Sequence, residues 1–226
     1  MKKFWNFGEP EGPNELRLDG PISEESWFGD EVTPAAFRAD LAAHPGDITV
    51  WINSPGGDVF AASSIYTALK EHKGKVTVKI EALAASAASI VAMAGDEIHM
   101  APTAYMMIHR AATVAIGDTD EMKKAGKTLD EADEGIAQLY ADRTGQALDK
   151  IRAMMKAETW MNAQTAFSLG FADSVLYQGE REEPKGEPEP APEPERDKPT
   201  PEQPKDSARE RLTLRMKLMR DNARRI

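Results

Sequence analysis

The chain has 226 residues, no cysteine and a formal net charge of −10. Without cysteine it can build no disulfide framework, zinc–thiolate site, iron–sulfur cluster or thiol nucleophile. The charge falls on residues 1–177, with 26 acidic and 16 basic side chains, which argues against a nucleic-acid-binding surface as the main role. No apolar run reaches the ~18 residues of a membrane helix. The start, Met1-Lys2-Lys3-Phe4-Trp5, is not followed by the apolar core of a secretory signal, so a cytoplasmic location is expected.

Residues 1–177 alternate apolar runs with helix-length segments and read as one globular domain. Such a length can bury a full core without staples. Ile48-Thr49-Val50-Trp51-Ile52 predicts a buried strand. It ends in the turn signal Asn53-Ser54-Pro55-Gly56-Gly57. Asp58 can cap a helix over 61–72, with Ile65 and Leu69 four apart on its packed face. Val76–Ile80 predicts a second strand. Ala84–Ala94, rich in small residues, predicts a helix pressed against other backbone. Glu97–Met100 and Tyr105–Ile108 read as short strands. Asp120–Asp142 predicts a long polar-faced helix with Met122, Leu129, Ile136 and Leu139 as its apolar side. Helices over Ala147–Ala157 and Ala163–Leu169 and a strand over Phe171–Leu176 complete the domain. The alternation argues for an α/β fold of parallel strands.

The chain then changes character. Residues 178–206 mix Glu, Pro, Lys and Arg with almost nothing apolar, which predicts a disordered linker. Ser207 and Glu210 have capping-box spacing, and Leu212, Met216 and Met219 follow at helical intervals among Arg and Lys. A short basic amphipathic helix over 207–226 is expected.

Chemistry can come from few residues. Ser86 lies where a strand gives way to a small-residue helix, and its alanine neighbours leave the hydroxyl accessible. A serine attacks a carbonyl only when a base takes its proton. Of four histidines, His109 ends an apolar strand, where an imidazole could be aimed at a neighbouring loop. The Gly56-Gly57 turn offers bare amides that could form an oxyanion hole. Each feature also has an ordinary reading: a small packing residue, a structural histidine, a turn. Spacing alone cannot assemble a triad, which is a matter of geometry.

Ile52-Asn53-Ser54-Pro55-Gly56-Gly57, Ser64-Ile65-Tyr66, Ala84-Ala85-Ser86, Met107-Ile108-His109 and Thr144-Gly145-Gln146 together resemble the ClpP family of serine peptidases, family S14. They occur in the family's order and close to its spacing, over roughly residues 15–177. The resemblance implies a ClpP/crotonase-type fold with a projecting handle helix. It implies Ser86 as nucleophile, His109 as general base, and the N–H groups of Gly57 and Ala87 as oxyanion donors. It implies no cofactor and no metal. It also implies a homo-oligomeric ring, paired through the handle helix at 120–142.

The third triad member departs from the family pattern. Its place falls on Glu158, before Thr159-Trp160, where the cellular enzymes carry aspartate. Glutamate can orient an imidazole as aspartate does, with one more methylene to fit. Asp173 is the nearest rival, matching a family aspartate that is not catalytic. The Glu-Thr-Trp variant and the charged tail are most similar to the ClpP-related head maturation proteases of tailed phages and prophages. Capsid or scaffold protein would then be the substrate, inside or beside procapsids in the host cytoplasm, and the tail an addressing appendage. The alternative is a proteolytic subunit served by an AAA+ unfoldase, which would need an axial loop and a hydrophobic docking cleft. Enoyl-CoA hydratase relatives share the fold but do not need Ser86 and His109 together. A non-enzymatic assembly scaffold with a vestigial site is disfavoured by the intact pair.

Overall fold

The computed structural model describes residues 14–26 and 31–177. The expected linker and basic helix after residue 177 lie outside the described residues. The element order is β1 (Glu15–Asp19), α1 (Pro34–Ala42), β2 (Ile48–Ser54), α2 (Val59–Lys70), β3 (Val76–Ala85), α3 (Ala87–Ala92), β4 (Glu97–Met100) and β5 (Tyr105–Ile108). There follow α4 (Thr119–Thr144), α5 (Leu148–Lys156), β6 (Thr159–Asn162), α6 (Ala163–Leu169) and β7 (Ser174–Val175). This is the expected α/β architecture, a mostly parallel sheet flanked by helices.

The sheet runs β1-β2-β3-β4-β7, with parallel pairing throughout. One face is core: Leu16, Leu18, Val50, Ile52, Val78, Ile80, Ile98 and Met100 are buried. The other face carries Arg17, Trp51, Lys79 and His99 in one cross-strand row. Lys79 Nζ stands 5.0 Å from the Trp51 ring centroid and Arg17 5.9 Å, so the cations cover the indole.

β3 forks the sheet. Thr77–Ile80 pair with β4, while Leu83–Ala85 pair with β5. β5 in turn takes β6 as an antiparallel partner. The second strand is therefore longer than expected, and the helix expected from Ala84 starts only at Ala87. Alanine is the best helix former, but tertiary context overrides propensity, and the ladder to Met106 and Met107 holds Ala84 and Ala85 in the strand. The last expected strand shrinks to two residues. β1, α1 and β6 were not anticipated.

The helices stop and start on local chemistry. Asp58 caps α2 by accepting from Ala61 N at 2.7 Å. Asp118 caps α4, and Gly145 ends it in the left-handed conformation at φ 68°. The apolar side of α4 differs from the expected stripe. Its C-terminal half packs on the core through Ile136, Ala137, Tyr140 and Ala141, with Leu139 half-buried beside them. Ile136 and Leu139 are thus committed within the subunit, while Met122 stays 41% exposed. No helix of the described residues is long and apolar enough to cross a membrane.

Candidate active site

The site forms where β3, β5 and the β2–α2 loop meet. Ala84 and Ala85 lie in register with Met106 and Met107, which carries Ser86 alongside the end of β5. Ser86 N–H donates to Met107 O at 2.9 Å. Ser86 itself takes φ 54°, ψ −126°, a sparsely populated conformation for a non-glycine residue. Strain of this kind costs about 1–3 kcal/mol and persists only where the surroundings enforce it. Here it turns the chain sharply from strand into α3, leaving the hydroxyl at the bend. Ser86 Oγ and His109 Nε2 are 2.7 Å apart. For catalysis the hydroxyl donates and Nε2 accepts, which requires the imidazole proton on Nδ1.

The other histidines have structural partners. His99 Nδ1 meets Ser174 Oγ at 2.7 Å, His72 Nε2 donates to Gly46 O at 2.6 Å, and His44 Nδ1 donates to Asp40 O at 2.9 Å.

The Gly56-Gly57 turn lies against the serine. A Cβ on Gly56, at φ +93°, would stand 2.5 Å from Ala85 O, 2.8 Å from Ser86 Cβ and 2.9 Å from Ala87 N. Only glycine allows that approach. The turn is fixed from below: Ser54 Oγ donates to Gly20 O at 2.6 Å and accepts from Gly56 N at 3.1 Å. Ile22 N donates to Gly56 O, and Asp58 N donates to Ile22 O, both at 2.9 Å. Those bonds leave the Gly57 N–H undirected toward any protein acceptor among the described residues, and the same holds for Ala87 N–H at the first turn of α3.

Glu158 arrives through β6. The antiparallel register pairs Ile108 with Thr159, so the next position brings Glu158 beside His109. Glu158 has φ 51°, and its N–H donates to Met155 O at 3.1 Å. Its Oε1 accepts from Trp160 Nε1 at 3.2 Å. The backbone thus places the glutamate next to the histidine while its carboxylate rests on the indole. Asp173 is elsewhere: its Oδ2 accepts from Ile98 N at 2.7 Å and from Arg143 at 2.5 Å, tying β4 to α4.

Three residues that the sequence did not single out join the site. Asp133 on α4 accepts from Ala111 N at 2.6 Å and from Arg110 Nε at 2.5 Å, anchoring the segment after His109 to the long helix. Ser89 bonds both the Ser86 carbonyl and Tyr140. A polar residue three positions beyond Ser86 in an alanine-rich run was the available signal for Ser89. Asp133 and Tyr140 left no such mark. A cleft of about 310 Å³ opens beside the glycine turn, walled by Phe60, residues 111–115, Leu129 and Ala132. Its largely apolar walls suit an unfolded polypeptide segment.

Comparison with known proteins gives a consistent picture. The Clp protease family profile matches residues 22–179. An ATP-dependent Clp protease proteolytic subunit of Streptococcus thermophilus is 28% identical over 165 residues, 71% of this chain and 83% of that protein. The protein of the same description from Bacteroides fragilis is 30% identical over 154 residues, 65% of this chain and 74% of its own. That from Leuconostoc citreum is 32% identical over 134 residues, 58% and 67% of the two chains.

Proposed function

The chain belongs to the Clp protease family, and from that premise we propose that it is a serine endopeptidase using Ser86, His109 and Glu158. The observation that carries this reading is the 2.7 Å contact between Ser86 Oγ and His109 Nε2 at a strained strand-to-helix bend. Ser86 Oγ attacks the scissile carbonyl carbon while its proton passes to His109 Nε2. Negative charge then develops on the carbonyl oxygen, facing the N–H groups of Gly57 and Ala87. His109 returns the proton to the leaving amine nitrogen as the C–N bond breaks. A water then gives a proton to His109 as its oxygen attacks the acyl carbon, and His109 passes that proton to Ser86 Oγ as the acyl C–Oγ bond breaks, freeing the acid product and restoring the serine. Glu158 accepts from His109 Nδ1 once its carboxylate turns from Trp160. Catalytic hydrogen bonds commonly tighten only with substrate bound.

The substrate proposed is capsid or scaffold protein during procapsid maturation, with the peptidase working as a homo-oligomeric ring and the tail after Tyr177 serving as an address. Two observations support it. The position where the cellular enzymes carry aspartate is held by Glu158, followed by Thr159-Trp160. The sheet face opposite the core carries Arg17 and Lys79 against Trp51, with Arg17 paired to Glu81, a charged surface rather than a hydrophobic one. The second reading, a proteolytic subunit working with an AAA+ unfoldase, is favoured by the names of the relatives.

Ser86→Ala should abolish peptide hydrolysis and labelling by a fluorophosphonate, with the fold kept. A variant that still turns over near the wild-type rate ends the serine mechanism. For the substrate, capsid and scaffold proteins co-expressed with wild type or Ser86→Ala are compared by mass spectrometry. New termini that depend on Ser86 support the procapsid role. Cleavage of folded proteins only with ATP and a partner ATPase supports the second reading instead.

A further inference from the structure

The Ser86 carbonyl is held unusually firmly. It accepts from Ser89 N at 2.9 Å and from Ser89 Oγ at 2.6 Å. Ser89 has one hydroxyl proton, and that bond uses it. At the 2.7 Å contact between Ser89 Oγ and the Tyr140 hydroxyl, the tyrosine is therefore the donor. The direction is fixed along the whole chain: Tyr140 O–H to Ser89 Oγ, then Ser89 O–H to Ser86 O. Both side chains are shut away, Ser89 at 0% exposure and Tyr140 at 2%. Burial pushes the Tyr140 phenol above its usual range, so it stays a donor throughout the working pH range.

Packing does not call for this pair. The neighbours Ala87, Ala88, Ile90, Val91 and Ala92 are all apolar and buried. Setting two hydroxyls among them costs desolvation that only their hydrogen bonds offset. The Ser86 carbonyl already has an N–H partner in Ser89 N, so the hydroxyl is a second donor to an oxygen that one would satisfy.

What the second donor controls lies across the peptide plane. The Ser86 C=O and the Ala87 N–H belong to one planar trans peptide and point in opposite directions. Fixing the carbonyl toward α4 fixes the N–H toward the other side. There the glycine turn passes, close enough that a Gly56 Cβ would stand 2.9 Å from Ala87 N. Two hydrogen bonds on the carbonyl also polarise the peptide and strengthen its N–H as a donor.

We propose that Tyr140 and Ser89 are positioning residues that aim and strengthen the Ala87 N–H as an oxyanion donor, acting through the Ser86–Ala87 peptide. The proposal rests on the reading of Ala87 as such a donor. It makes the long helix α4, at one turn from its C-terminus, part of the support for transition-state charge.

The test uses full-length Ser89→Ala, Tyr140→Phe and the double variant on a peptide that the wild type cleaves. Ser89→Ala should lower kcat about tenfold and leave KM within about twofold, because the lost support acts only on developing charge. A peptide boronate, which forms a tetrahedral anion on Ser86, should weaken by the same factor, while a product peptide binds as before. Tyr140→Phe should lower kcat about threefold. The double variant should match Ser89→Ala within about twofold, because Tyr140 acts only through Ser89. It also leaves no hydroxyl unpaired, so it keeps the fold even where a single variant does not. Wild-type kcat and boronate affinity in all three, with only the melting temperature lowered, would overturn the proposal and leave a structural tie. Multiplying losses in the double variant would overturn the relay through Ser89. Failure of the underlying reading shows separately, as wild-type protein that resists the fluorophosphonate or Ser86→Ala protein that stays active.

Discussion

Along its first half β3 presents Val76, Val78 and Ile80 to the core and Thr77 and Lys79 outward. Along its second half the alternation fails: Glu81 and Ala82 are exposed, Leu83 is half-buried, and Ala84 and Ala85 are both buried. The partners change at the same point, from β4 to β5. The ladder with β2 also shifts register between Ile52 and Ser54, so that Ser54 faces Ala84. A bulge of this kind re-aims the chain next to a site. The first half is secured by side-chain volume. The second is secured by backbone contact, with alanine and glycine allowing main chains to touch and polar groups fixing their direction. Stability and chemistry are thus written into different halves of one strand.

Two carboxylates give the largest test of that division. Glu158 lies on the β5 side, beside His109, and Asp173 on the β4 side, bound to Ile98 N and Arg143. Glu158→Gln should lower kcat by about 10²–10⁴ with the melting temperature little changed, by favouring the wrong imidazole tautomer. Asp173→Asn should leave kcat near wild type and cost about 1 kcal/mol of stability, since a partly exposed charged hydrogen bond is lost. Steady-state kinetics and thermal unfolding on the same two proteins decide it. The opposite pattern would move the third catalytic role to Asp173 and dissolve the contrast.

Gly56→Ala sharpens the comparison from the loop side. The added methyl meets Ala85 O and Ser86 Cβ inside contact distance, at a φ that L-residues avoid. The turn has to shift, and a displacement of about 1 Å at a reacting centre costs on the order of 10² in rate. Hydrogen exchange should show loosening at the 84–88 amides and unchanged protection at 76–80. Full activity in Gly56→Ala would mean that the turn does not touch the chemistry.

The same contrast explains what the sequence made legible. Strands and helices secured by side-chain period, such as 48–52, 76–80 and 163–169, could be read directly. Ser86, His109, Gly57, Ala87 and Glu158 stood out through ordered motifs, and the structure brings Ser86, His109 and the glycine turn together while seating Glu158 one register step away. The misread helix start at Ala84 falls where pairing with β5, a contact between distant segments, decides the conformation. β1 went unseen because Glu15-Leu16-Arg17-Leu18-Asp19 is too short and charged to stand out without its neighbour β2. Ile136 and Leu139 could be read as part of the apolar side of the long helix but not as core of the subunit, because periodicity tells which side of a helix is apolar, not what covers it. Tyr140 was invisible for the same reason: only the packing of α4 on α3 carries its hydroxyl to Ser89.

The smallest expected effect concerns stability at high pH. Burial raises the Tyr140 phenol above its unfolded-state value of about 10. Below that pH the group is protonated in both states and contributes no pH dependence. As pH rises past about 10, the unfolded chain releases the proton while the folded chain keeps it. The folded state then binds more protons than the unfolded one, so stability falls with pH. Chemical denaturation of the wild type should show the midpoint sliding to lower denaturant between about pH 10 and pH 11, beyond what the exposed lysines and tyrosines impose. Tyr140→Phe should remove that part of the slope and leave the rest. Equal slopes for wild type and Tyr140→Phe would mean that the phenol titrates as freely as in the unfolded chain, and the sealed hydroxyl pair behind Ser86 would then be open to solvent.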